Sequence, residues 1–234
     1  MIFLSKYAKS YISHELELDE DKTIIIPHGI DRSFLKPPNT QKKTSFYKTN
    51  REFRILYISN ITTYKHQWNV IKAIGICRDL GYPFSISIVG GISDSYEKVE
   101  RAINEYSQHK DYITLHGKVT HDSIKGYLHS SDLFIFASSC ENQPITLIEA
   151  VTAGLPVACS YYGPMPEIME EDAFYFDPEK VESIKNSLIK AFENKDLRHK
   201  NAVNAFNRYN SYRWADCTDA TMDFLKTVSF RYYS

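Results

Sequence analysis

The chain has 234 residues, 43% of them hydrophobic, which is enough for one large domain with a full core. Its 28 basic and 29 acidic residues nearly cancel and form no long block of like charge. This balance excludes the basic surface by which proteins bind nucleic acid, so a smaller ligand is expected.

The cysteines and the apolar stretches indicate a compartment. Cys77, Cys140, Cys159 and Cys217 lie far apart with no CxxC pair, which suits free thiols in a reducing compartment better than a disulfide framework or a zinc site. No apolar stretch is long enough for a secretory signal or a membrane span. We predict a cytoplasmic location and leave peripheral membrane contact open.

The first fifty residues differ in pattern from the rest. Residues 5–15 resemble a short helix, residues 23–26 an apolar strand, and the polar, Pro-containing residues 36–50 a linker. Residues 1–4 have the pattern of a strand end, and the segment is too small for a core of its own. We therefore expect something to precede this strand or to pair with it.

From residue 51 onward, short apolar runs alternate with amphipathic ones. This alternation predicts an α/β fold with a Rossmann-like, doubly wound parallel sheet covered by helices on both faces. Closing helices follow, the last with Trp214, Phe224 and Leu225 as apolar anchors. The predicted strands are 54–59, 84–89, 112–116, 132–137, 155–159 and 173–176, and the predicted helices are 66–80, 96–109, 122–129, 144–153, 166–170, 180–193, 196–208 and 212–228.

A site follows if the six strands take the common doubly wound order. In the common doubly wound order the first and fourth strands are neighbours, and ligands bind beyond their carboxyl ends. This rule selects loops 59–65 and 138–143, so Lys65 and Glu141 are predicted to face one crevice. Pro144 is expected at the first helical position, which leaves free amides that attract anions. The crevice would suit a diphosphate.

Glu149 interrupts the apolar run of helix 144–153, eight positions after Glu141. A buried carboxylate is costly unless it is paired or hydrogen-bonded, so Glu149 needs a partner, and a ribose diol could reach it. Alternatively, Lys65 is a solvated lysine at a helix start, Glu141 an ordinary loop acid, and Glu149 the partner of a structural Arg or Lys. Convergence of the three side chains on one crevice favours a binding site.

Other candidate motifs are weaker. Gly90-Gly91 follows a strand, but the chain lacks the longer phosphate-loop patterns, so a plain turn is predicted there. Asp19-Glu20-Asp21 mimics a metal-binding DxD and is expected to be solvated. The eight histidines show no ligand spacing, and only His66 is predicted to lie near the crevice.

Several segments together resemble the donor-binding, C-terminal half of retaining GT-B glycosyltransferases of the large group-1 family (family 4), which includes many enzymes of polysaccharide biosynthesis. Residues 26–31 are similar to the interdomain motif "IPNGID", and residues 55–65 to the element "ILYVGRLxxxKG". Residues 138–157 resemble "SxxEgfgLxxlEAmAxGxPVV", and residues 162–168 its "GGxxEiv" continuation.

The resemblance implies a division of the chain into three parts. Residues 1–50 would be the tail of an N-terminal domain with the interdomain linker, residues 51–210 the donor-binding Rossmann-like domain, and residues 211–234 a C-terminal helix. It also implies transfer of a hexosyl group, with retention, from a nucleotide sugar to a glycan or glycolipid acceptor. No metal and no other cofactor is expected.

The resemblance also assigns roles. Lys65 and Glu141 would be catalytic, with Lys65 at the donor diphosphate and Glu141 at the sugar hydroxyls, and Glu149 would contact the ribose. The further donor-binding positions are Asn60, Asn142, Gln143, Pro144, Ile145 and Thr146 on the phosphate side, and Lys118 and Val119 beside the base.

The chain departs from the family pattern in two places. Asn60 stands where the family usually has a phosphate-binding Arg, and Asn142-Gln143-Pro144 replaces Gly-Phe-Gly. Because GT-B enzymes bind the acceptor on an N-terminal Rossmann domain, we expect this chain to be a fragment or half of a split enzyme that needs such a domain or subunit. The alternatives are a non-catalytic nucleotide-sugar-binding or partner module with a degenerate GT-B fold, and a GT-B-shaped epimerase, for which no acid-base residues are apparent.

Overall fold

The leading segment forms a small parallel pair of strands. The structure, a computed structural model, describes residues 1–18, 20–106 and 111–233. β1 (Ile2–Phe3) pairs with β2 (Ile24–Ile25), and α1 (Lys6–Glu15) connects them. The strand predicted at residues 1–4 therefore has a neighbour within the chain.

Residues 36–50 are not the plain linker that their polarity predicts. They contain α2 (Thr44–Thr49), which buries Tyr47 in edge-on and tilted contacts with the rings of Phe53 and Phe192. The prediction was wrong because a buried aromatic side chain anchors this polar stretch, and two of its contacts, Asp132 and Phe192, are far away in the sequence.

The main sheet confirms the predicted doubly wound architecture. Within the described ranges its strands are all parallel and lie in the order β5-β4-β3-β6-β7-β8. The winding reverses between β3 and β6, which correspond to the predicted first and fourth strands. The strands are β3 (Phe53–Ile58), β4 (Phe84–Val89), β5 (Ile113–Gly117), β6 (Leu133–Phe136), β7 (Val157–Ser160) and β8 (Phe174–Phe176).

Helices cover the sheet in two groups. α3 packs against α4 and α8, while α6 packs against α9. The helices are α3 (Gln67–Asp79), α4 (Tyr96–Tyr106), α5 (His121–Ser130), α6 (Ile145–Thr152), α7 (Met165–Met169), α8 (Val181–Glu193) and α9 (Lys195–Tyr209). The boundaries predicted for β3 to β8 and for α3 to α9 agree within two residues, except that the predicted end of α4, residues 107–109, lies outside the described residues. The last predicted helix, 212–228, instead extends from Trp214 to Tyr233.

The core lies along the centre of the sheet. Every residue of β6 and β7 is buried, whereas the edge strand β5 is only half-buried. Central parallel strands are covered on both faces, so they consist of continuous apolar runs rather than alternating ones. These rigid central strands position the loops at their carboxyl ends.

The final helix, α10 (Trp214–Tyr233), is not the packing element that its apolar residues predict. Trp214 and Leu225 are 46% and 52% exposed, and Phe224 is only half-buried. The prediction was wrong because apolar spacing shows that a helix has a face to bury but not what covers it. In the described part of the chain, no helix has both the length and the apolarity needed to cross a membrane.

Candidate functional site

The two loops selected from the strand order meet at the carboxyl ends of β3 and β6. Lys65 Nζ donates a hydrogen bond to Glu141 Oε1 and forms an ion pair with it. Their side chains are only 12% and 14% exposed. The two side chains meet as predicted and neither is a solvated surface charge, while their role in a ligand-binding crevice stays a prediction.

Tyr57 holds the backbone at Lys65. Its hydroxyl donates to the Lys65 carbonyl at 2.6 Å and accepts from the Ala137 amide at 3.1 Å, which ties the loop after β3 to the end of β6. Burial raises the pKa of Tyr57, so the hydroxyl stays neutral and keeps its proton to donate. The Lys65 ammonium also lies 4.7 Å from the centre of the Phe136 ring.

His66 has a backbone conformation that favours glycine. Its φ is 50°, and the motif that residues 55–65 resemble ends in Gly at this position. The His66 Nε2 lies 2.9 Å from Ser139 Oγ, and its ring contacts that of Trp68. Burial lowers the pKa of His66 and so favours the neutral imidazole. These contacts hold a strained residue beside Lys65.

Asn60 has a structural contact where a phosphate-binding Arg was expected. Its Oδ1 accepts from the Gly91 amide at 2.9 Å, which joins the loops after β3 and β4. Gly90 has a φ of 151°, and a Cβ there would lie 2.0 Å from the Ser59 carbonyl oxygen. Gly90-Gly91 therefore forms a close-packed turn between strand and helix.

α6 begins one residue later than predicted. Pro144 is the N-cap residue with a ψ of 100°, and Ile145 rather than Pro144 is the first helical residue. Among the described residues, the amides of Ile145 and Thr146 donate no hydrogen bond. The Gln143 side chain accepts from the His28 amide at 2.8 Å. The start of α6 therefore offers two free amides, next to a loop anchored to His28.

Glu149 lines a separate pocket of about 660 Å³. Neither Lys65 nor Glu141 is among the described residues that line it, so this pocket lies apart from their ion pair. The lining residues come from residues 29–32, the helices α5 and α6, and the start of α10: Gly29, Ile30, Asp31, Arg32, His121, Ile145, Glu149, Arg213, Trp214 and Ala215.

The Glu149 carboxylate is poorly compensated. Burial raises its pKa, Asp31 raises it further, and His121, whose Nε2 lies 3.8 Å from Glu149 Oε1, lowers it. Among the described residues Glu149 forms no ion pair with Arg or Lys, so the alternative of a structural partner of that kind was wrong. The carboxylate can accept hydrogen bonds from a ligand that enters the pocket.

The remaining predicted positions lie at the margins. Lys118 is exposed and Val119 partly buried in the turn between β5 and α5, and Asn142 is exposed before α6. None of these lines the pocket around Glu149 among its described residues.

Sequence reasoning missed several pocket residues. His121 and His28 lie near the site, so the prediction that only His66 does was wrong. The proximity of His121 to Lys118 and Val119 was an available signal. Trp214 gave no such signal, because it lies far along the chain from the other pocket residues. In the structure its backbone approaches Gly29 so closely that a Cβ on Gly29 would lie 2.1 Å from Trp214 N.

No cluster of three or more His, Cys, Asp or Glu side chains that could hold a metal ion occurs in residues 1–18, 20–106 and 111–233. Asp19 of the Asp19-Glu20-Asp21 triplet lies outside the described residues. That the chemistry needs no metal stays a prediction.

Comparisons with known proteins agree on one family. The profile described as "Glycosyl transferases group 1" matches residues 39–208. O-antigen chain mannosyltransferase B of Escherichia coli is 22% identical over 178 residues, which cover 74% of this chain and 45% of that protein. The chain spans about half the length of the curated relatives it matches.

Solved structures share the fold. A glycosyltransferase from Rickettsia africae ESF-5 superposes with a TM-score of 0.80 at 20% identity, over 97% of this chain and 62% of that one. The Anabaena protein Alr3699/HepE, solved in complex with UDP and glucose, superposes with a TM-score of 0.79 at 17% identity over the same fractions, 97% and 62%.

Proposed function

The chain belongs to the group 1 glycosyl transferases, and from this premise we propose that it binds a nucleotide diphosphate sugar as the donor half of a retaining hexosyltransferase. The acceptor in this proposal is a glycan or glycolipid. The Anabaena protein solved with UDP and glucose supports a nucleotide diphosphate as the ligand.

The observation that carries the proposal is the placement of three charged side chains along α6. Lys65 and Glu141 form a nearly buried ion pair close to its start, and Glu149 lies within the helix. A diphosphate at the free amides of Ile145 and Thr146 would also meet the Lys65 ammonium. Lys65 would exchange its carboxylate partner for phosphate, and Glu141 would become free to accept hydrogen bonds from the sugar hydroxyls.

The same groups would act on the transition state. As the bond between the sugar and the diphosphate breaks, negative charge develops on the leaving phosphate. Lys65 and the α6 amides would stabilise that charge. Glu149 would hold the ribose through its diol and so fix the position of the reacting bond.

The acceptor side is also part of the proposal. An N-terminal GT-B domain or subunit would hold the acceptor, and closure over the donor would exclude water. A glycolipid acceptor would bring the protein to a membrane surface from the cytoplasm.

Calorimetric titration of the chain with UDP, GDP and ADP tests donor binding. We expect saturable binding of one nucleotide and a roughly 10- to 100-fold weaker affinity for Glu149→Gln, because a hydrogen bond to a charged group contributes about 1.5–3 kcal/mol. Glu171→Gln, at an exposed site, is the control. No binding of any nucleotide, or equal binding by Glu149→Gln, would contradict the proposal.

Asn60 favours a second candidate function, a non-catalytic binding module. Its side chain holds Gly91 and supplies no charge to the crevice. Such a module would bind nucleotide but transfer no sugar when combined with an N-terminal GT-B domain. Acceptor-dependent transfer by that combination would eliminate the second candidate.

A further inference from the structure

His121 lies between two carboxylates in the pocket of about 660 Å³. Its Nε2 is 3.8 Å from Glu149 Oε1, and its Nδ1 is 3.9 Å from Asp31 Oδ2. Its ring centre lies 5.1 Å from that of Phe34, which packs beside it. The imidazole on α5 thus lies between Glu149 of α6 and Asp31 of the leading segment.

The three side chains differ in exposure. The Glu149 side chain is 9% exposed, whereas those of His121 and Asp31 are 57% and 41% exposed. The buried carboxylate therefore has a solvent-accessible neighbour. A ligand that enters the pocket to reach Glu149 meets this imidazole.

Other charged side chains lie around this pocket. Arg32 and Arg213 also line the pocket, and Lys125 on α5 acts on Asp31. The Ser33 amide, through a hydrogen bond to Asp31 at 2.8 Å, is the main cause of the lowered pKa of Asp31, which keeps that carboxyl ionised. Asp31 therefore stays negative beside the imidazole.

We propose that His121 is a positioning residue that controls how strongly Glu149 binds a ligand diol, with the imidazolium and the diol competing for the same carboxylate. This inference rests on the proposed function. With a protonated imidazole, Glu149 already has a charged partner. With a neutral imidazole, the buried Glu149 carboxylate lacks that charged partner and is repelled by the Asp31 charge. It then gains more from the two O–H donors of a diol.

Binding of the nucleotide should therefore weaken as pH falls. Protonation of Glu149 itself acts in the same direction, because a protonated carboxyl is a weaker acceptor. A variant that lacks the imidazole separates the two effects, since it retains only the titration of Glu149.

Calorimetric titration with UDP between pH 5.5 and 8.5 tests the competition in the wild type and His121→Ala. We expect the wild-type affinity to fall roughly 3- to 10-fold from pH 8 to pH 6, as for loss of a partly exposed charge interaction. His121→Ala should lose the part of this dependence that comes from the imidazole and keep only the part that comes from Glu149. Equal pH dependence in the two proteins would overturn the proposal.

His14→Ala is the matched control, because its side chain is 86% exposed on α1, away from the pocket. It should follow the wild type at every pH. Ionisation of the UDP phosphate is common to all three proteins and cancels in the comparison.

A ligand-free measurement separates this inference from the proposed function. Carbon-13 NMR of the Glu149 carboxyl should show a higher pKa in His121→Ala than in the wild type, because His121 lowers it. A raised Glu149 pKa without UDP binding at any pH would refute the proposed function and leave the coupling of the two side chains established. UDP binding with an unchanged Glu149 pKa would refute the coupling instead.

Discussion

The Glu149 carboxylate lies where its charge is disfavoured. Burial and the nearby Asp31 raise its pKa, and His121 offsets this only in part. A side chain that weakens the fold in this way is typical of a functional site, because selection for binding tolerates a local loss of stability. The ion pair of Lys65 and Glu141 differs, because each charge there has a partner of opposite sign.

The raised pKa of Glu149 predicts how stability depends on pH. Below the ordinary carboxyl value of 4.5, Glu149 is protonated in the folded and unfolded states and costs nothing. As pH rises through the higher folded pKa, the folded state must ionise a buried group, so stability falls. Glu149→Gln should therefore be more stable than the wild type at pH 7.5, by on the order of 1 kcal/mol, and nearly equal to it at pH 4.

Urea unfolding at the two pH values measures this difference. A Glu149→Gln variant less stable than the wild type at pH 7.5 would show that the carboxylate has a stabilising partner instead.

At the scale of elements, two helical glycines differ in their surroundings. A Cβ on Gly75 of α3 would lie 2.3 Å from Cδ1 of Tyr106 on α4, whereas one on Gly126 of α5 would meet nothing within 4 Å. The close approach of α3 and α4 thus depends on the missing side chain at Gly75. Among the described residues, no packing contact of α5 depends on the missing side chain at Gly126.

The same substitution should consequently have opposite effects at the two sites. Gly75→Ala should lower the free energy of unfolding by about 1–3 kcal/mol through overpacking. Gly126→Ala should raise it by about 0.5–1 kcal/mol, because alanine loses less backbone entropy in a helix. Chemical denaturation of both variants provides the test, and changes of the same sign would contradict this account of α3 and α4.

The element boundaries could be predicted because they follow local patterns. The apolar runs of β3 to β8 and the amphipathic stretches between them are short-range signals, and they located each element within a few residues. α2 escaped prediction because its one buried anchor, Tyr47, has a partner in Phe192 that is distant in the sequence.

At the scale of the whole molecule, one carboxylate joins the leading segment to the main domain. Glu167 of α7 accepts from the backbone amides of Lys6 and Tyr7, each at 2.8 Å. These amides open α1, so the charge also interacts favourably with the helix dipole. A helix of 10 residues is marginal on its own, and this contact supports it.

Glu167→Gln should loosen α1 and leave the sheet intact. Hydrogen exchange of the α1 amides should become roughly 10-fold faster, which corresponds to about 1.4 kcal/mol, while β3 and β6 keep their protection. Glu171→Gln, at an exposed position, is the control. Unchanged α1 protection in Glu167→Gln would show that other contacts hold the segment.

The sequence by itself determined the α/β class and, with the common doubly wound strand order assumed, the meeting of Lys65 with Glu141. Hydrophobic patterns are local, and a parallel sheet with short crossovers has few permitted windings, so a switch point and its two loops follow from them. Glu149 could also be singled out from local pattern, because it is a charge inside an apolar helix, eight positions after Glu141.

Only the tertiary structure decided what surrounds those side chains. It separated the pocket of Glu149 from the ion pair of Lys65 and Glu141, placed His121 between two carboxylates, and brought Trp214 against Gly29. These contacts join segments far apart in the chain, and their distances depend on how whole helices pack. A local pattern shows that a side chain needs a neighbour, but the packing of the complete fold determines which neighbour it has.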